Sequence, residues 1–271
     1  YGFYSHATFR EFLAGRYLAS GFATTKMHRK FLEDHLEDDQ WEEPIRLAVG
    51  FSAISGEETT DRLVNLLAGL GDSESKRSQA LALAGFAFAD LPKGRRLPGT
   101  EQNMVRKLEK ALGENPPLVQ PIHRRKLGLA LGELGDPRLD PLKPKMVTVK
   151  AGPFRMGTSE EDKQRLEAQK SRSWPDEQPD HILELPEFQI GKYPLTNAEF
   201  RLFWQQKGYA EQELWSPEGW MWRIESKRDQ PAYWDDPRWS GSNLPVVGVC
   251  WFEAQAYCKW LSRETGLSYR L

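Results

Sequence analysis

Met146–Gly157 reads MVTVKAGPFRMG. Val147 and Val149 alternate with polar neighbours, the period of a half-buried strand. Gly152-Pro153 turns the chain, Phe154 and Met156 resume an apolar face, and Gly157 closes it. The stretch predicts an edge hairpin that opens a new domain. Composition changes across it: helical amphipathic segments precede it, while prolines, short extended pieces and all of the ten tryptophans except Trp41 follow.

Working back from it, the first half reads as helices. Thr8 and Glu11 form a capping-box pattern, and Phe9, Leu13 and Tyr17, with Phe12 beside them, predict a core-facing stripe. A second helix is expected over about Thr25 to Asp38, with Met27, Phe31, Leu32 and Leu36 inward. A third starts at Glu42 with Pro44 in its first turn and Ile45, Ala48, Val49 and Ile54 inward. Leu63, Leu66, Leu67 and Leu70 repeat at i, i+3, i+4, i+7, and Ala80 to Ala89 is small enough for close helix packing. Thr100 is expected to cap a helix carrying Val105, Leu108 and Leu112. Pro121 opens another, with Leu127, Leu131 and Leu134 inward and Gly135 at its end. Short loops between such helices predict antiparallel pairs, a bundle or short solenoid.

The 271 residues fit two domains, 39% hydrophobic and 28% charged. No apolar run is long enough for a membrane span, and a net charge of -2 gives no global attraction to nucleic acid. The histidines His6, His28, His35, His123 and His181 lack zinc-like spacing and read as packing or capping residues. Cys250 and Cys258 do not suggest a disulfide framework, so a reduced, cytosolic setting is the default.

After the charged insertion Glu160–Ser173, extended pieces are expected around Ile182–Leu185 and Phe188–Ile190. Thr196 and Glu199 form a second capping box ahead of an inward stripe of Phe200, Phe203 and Trp204, ended by Gly208. Residues 209–245 carry Trp215, Trp220, Trp222, Trp234 and Trp239 with little periodicity. Such a stretch stays ordered by pinning its indoles to the core, and a ligand or glycan platform is the functional alternative. A last helix places Ala254, Tyr257, Cys258 and Leu261 on one face and ends at Gly266.

Two resemblances extend this reading. Phe3 or Tyr4, His6, Thr8, Phe9, Glu11, Phe12, Leu13, Ala14, Arg16, Tyr17 and Leu18 resemble the signature of helices that follow the nucleotide-binding core of NACHT-type STAND NTPases. No GxxxxGK[ST] loop occurs in the chain, so this resemblance implies an ATPase upstream of Tyr1. Arg124–Arg138 resembles a last HEAT-like helix. The second half is similar to the sulfatase-modifying-factor family, which includes the formylglycine-generating enzymes. The similarity lies in Met146–Gly157, in Asp176–His181 (DEQPDH), in Tyr193–Phe200 (YPLTNAEF) and in Leu244–Leu261 (LPVVGVCWFEAQAYCKWL).

Together these imply a multidomain chain: a helical bundle or HEAT-like region over 1–140, a linker over 141–145, and an incomplete α+β, C-type-lectin-like domain over 146–271. The family's copper-binding cysteines are expected beyond Thr265–Leu271, with copper or calcium only in the intact domain. Iron-binding relatives need a His-rich helix. No catalytic, cofactor-binding or metal-binding residue is therefore assigned. The expected role is a STAND-type regulatory protein whose lectin-like module recognises a protein or small ligand, in the cytoplasm. A copper-dependent formylglycine-generating oxidase and a diversified lectin-like receptor are the alternatives.

Overall fold

The computed structural model describes residues 7–21, 26–113 and 120–271. Its elements run α1 (Ala7–Gly21), α2 (Lys26–His35), α3 (Glu42–Ser55), α4 (Glu57–Leu67), α5 (Glu74–Ala89), α6 (Pro98–Gly113) and α7 (Pro121–Leu134). They continue with β1 (Met146–Val149), β2 (Gly152–Met156), α8 (Glu160–Ala168), β3 (His181–Leu185), β4 (Phe188–Gly191), α9 (Asn197–Gln205), α10 (Pro217–Ser226) and α11 (Trp251–Thr265). A helical N-terminal part is thus followed by a mixed C-terminal part. Contacts join Tyr1–Leu142 and Thr196–Leu271 in one compact unit and leave Lys143–Leu195 as a second. Composition changes at Met146, whereas the compact units break after Leu142 and after Leu195.

In the first unit α5 packs against α3, α4, α6 and α7. Its small residues make this possible: a side chain at Gly85 would meet Ala130 at 3.0 Å and Leu108 at 3.4 Å. Leu32, Ile45, Leu67, Phe88, Leu108, Leu127 and Leu131 are fully buried around this axis. Each such leucine removed from water contributes about 1.5–3 kcal/mol. A second, aromatic core lies between α9 and α11. Phe200 stacks on Tyr257 with ring centroids 5.5 Å apart, and Phe203 meets Trp260 edge-on at 5.7 Å.

The second unit is two antiparallel ribbons, β1 with β4 and β2 with β3. Val147 faces Ile190 and Val149 faces Phe188 across the first; Phe154 faces Leu183 across the second. The predicted hairpin within Met146–Gly157 does not form. β1 and β2 turn away from each other at Gly152; β1 pairs with a strand about forty residues on and β2 with one about thirty residues on. Val147 and Val149 are also more exposed than half-buried strand residues should be.

Helix phase differs from expectation at three places. Phe9, Phe12, Leu13 and Tyr17 are exposed; α1 instead buries Leu18 and lays Gly15 on α3, where a side chain would meet Leu47 Cβ at 2.7 Å. Backbone approach through glycine outweighs the aromatic stripe. Ile54 is 79% exposed, with Ser52 and Ala53 buried in its place. Thr100 is not a cap, since α6 begins at Pro98; it is buried and bonds Asp61 instead. Phe3, Tyr4, His6 and Thr25, with the side chains of Met27 and His28, lie outside the described residues. The predicted leucines of α7 and the Leu63–Leu70 stripe are inward as read, Leu66 and Leu134 only partly.

Candidate functional site

The feature that gives the first unit its chemistry is the segment Trp239–Leu244, held from two sides. On one side the first turn of α9 grips it. Asn197 Nδ2 donates to the carbonyls of Trp239 (2.6 Å) and Gly241 (2.9 Å), and Ala198 N–H donates to Ser242 O (2.7 Å). The Thr196–Glu199 capping box fixes that turn: Glu199 accepts from the Thr196 N–H at 2.8 Å, as the sequence predicts. On the other side lies α7. Ser242 Oγ donates to Gly132 O at 2.6 Å and Asn243 Nδ2 donates to Gly128 O at 2.7 Å. Gly132 is glycine for a steric reason, because a Cβ there would lie 2.5 Å from Asn243 Oδ1. Asn243 Nδ2 also reaches Asp136, whose carboxyl is raised by burial but held lower on balance by Arg138 and Asn243.

Asn243→Ala removes the bond to the Gly128 carbonyl and the weaker one to Asp136, while the helix itself keeps the Gly128 carbonyl paired. A loss of about 1–2 kcal/mol in urea unfolding is expected, with hydrogen exchange quickening at residues 239–244 before the α5–α7 core. Unchanged exchange there would show that the contact carries no energy.

A second polar cluster sits at the start of α11. Glu253 is fully buried. It accepts from Tyr209 Oη at 2.6 Å and from the Cys250 N–H at 2.6 Å, and lies 3.9 Å from Arg228, which donates to Gly248 O at 3.0 Å. Burial first, then the Glu253 hydrogen bond, push the Tyr209 phenol far above its usual range. Cys250, at the α11 N-cap, and Cys258, on its second turn, are both pushed up, chiefly by burial. A helix N-terminus ordinarily favours thiolate, but desolvation and the Glu253 carboxylate win here.

These groups predict an alkaline limit. In the unfolded chain thiols and phenols titrate near their ordinary 9.0 and 10.0; in the native chain Cys250, Cys258, Tyr209 and Tyr257 keep their protons longer. Native protein then binds more protons than unfolded protein, so stability is full below about pH 9 and falls as pH rises. Thermal melts from pH 7 to 10.5 check this; a rising melting temperature would contradict it.

The resemblance to the sulfatase-modifying-factor family implies copper or iron. Among the described residues no three His, Cys, Asp or Glu side chains group to hold a metal ion. Both thiols are held protonated, and eight residues of helix separate them by roughly 12 Å. These residues do not fit a copper(I) site. His35 packs on Phe31 with centroids 4.2 Å apart, and His181 Nδ1 meets Pro179 O at 3.1 Å. Trp215 and Trp234 are buried anchors, as the pinning reading expects, while Trp239 is exposed; Trp204, expected in the inward stripe of α9 with Phe200 and Phe203, is exposed as well. The helix α10 within this stretch was not legible from periodicity.

Residues 134–271, just over half of the chain, match the profile of the Sulfatase-modifying factor enzyme 1-like domain. The chain belongs to the sulfatase-modifying-factor family. Hercynine oxygenase of Mycolicibacterium smegmatis is 35% identical over 123 residues, 42% of this chain and 27% of that protein. Inactive C-alpha-formylglycine-generating enzyme 2 of Mus musculus is 30% identical over 144 residues, 45% of this chain and 44% of its own. Formylglycine-generating enzyme of Thermomonospora curvata is 28% identical over 148 residues, 44% of each. The chain spans less than half the length of each of these relatives. No helix among the described residues is long and apolar enough to cross a membrane.

Proposed function

We propose that this chain is a recognition module of the sulfatase-modifying-factor family, with a C-type-lectin-like fold, coupled to a helical arm of a NACHT-type STAND regulatory protein and not catalytic in itself. The observation that carries this is the docking of Ser242 and Asn243 on the α7 carbonyls. It makes the last helix of the arm part of the same compact unit as α9–α11, so a ligand that moves residues 239–244 moves α7. Protein or a small ligand is the partner, the upstream NTPase the receiver, and the cytoplasm the setting. In this reading 1–140 is the arm, 141–145 the linker and 146–271 the family domain in sequence order, while contacts group residues 196–271 with the arm. The inactive formylglycine-generating relatives support a member without chemistry.

The names of the hercynine oxygenase and formylglycine-generating relatives favour a second reading, in which the intact protein is an oxygen-using oxidoreductase. Copper(I) titration against a competing chelator separates the two for this chain, run on the parent and on Cys250→Ser, Cys258→Ser. Tight copper(I) binding needs converging soft thiolates. Identical curves and no mass change in a cysteine peptide are expected. Thiol-dependent binding that survives competition, or a formylglycine product, would overturn the reading.

A further inference from the structure

We draw no further inference here: the strongest candidate, the pair of exposed apolar ribbon faces in the second unit, Val147, Val149 and Ile190 on one and Phe154, Met156 and Leu183 on the other, carries nothing because nothing in the structure shows what covers them.

Discussion

Leu131→Asp is expected to lower the melting temperature of the first unit by roughly 10 °C. Leu131 is fully buried on α7, in the layer where α7 meets α5. An aspartate there places a carboxylate among leucine and alanine side chains with no cation to pair it, at a cost of about 4 kcal/mol or more. Whole domains are stable by only about 5–15 kcal/mol, so the variant should be largely unfolded at modest temperature. Leu131→Met keeps volume and polarity and should cost less than about 1.5 kcal/mol. A thermal melt of the aspartate variant within a degree or two of the parent would mean that the α7 packing described above is wrong.

Glu253→Ala should be the next most damaging change. It leaves the Tyr209 hydroxyl and the Cys250 N–H buried with no acceptor, at about 1–3 kcal/mol each. It also leaves Arg228 without its nearest carboxylate. Removing the other end of the bond should be milder. Tyr209→Phe deletes one donor while Glu253 keeps the Cys250 N–H, so about 1 kcal/mol is expected. Urea unfolding of the two single variants and the double variant checks the coupling. Strict additivity would show that Tyr209 and Glu253 do not act as a pair.

What was legible in the sequence follows from how locally each feature is determined. The Thr196–Glu199 box, the Pro121 start and Gly135 end of α7, and its inward leucines depend on neighbours within a turn or two, and they stand where the residues put them. The pairing of β1 with β4 depends on residues forty positions apart, and an alternating pattern does not name its partner. The phase of α1 failed because Gly15, an absence of side chain, allows the close approach, and a hydrophobic repeat cannot weigh an absence. Asn197 stands inside the Tyr193–Phe200 motif, and Ser242 and Asn243 carry no local pattern that singles them out. The available signal was Gly132 within the helical run GLALGELG, a glycine in mid-helix that leaves room for Asn243 to dock. Family membership was legible from four short motifs, and the profile match bears it out.

The double grip on residues 239–244 has a consequence for how such chains can diversify. Its two clamps, Asn197 on one side and α7 on the other, fix both ends of everything between α9 and Trp239. An insertion at the exposed end of α10, residues 224–227, then lengthens a segment whose anchor points stay where they are. Doubling the length of a flexible loop costs only about 0.6 kcal/mol, less than one of the hydrogen bonds that anchor this one. That short exposed stretch can therefore serve as a grafting position: new sequence can be inserted there while the buried anchors Tyr209, Trp215 and Trp234 and the register of α7, α9 and α11 are left as they are.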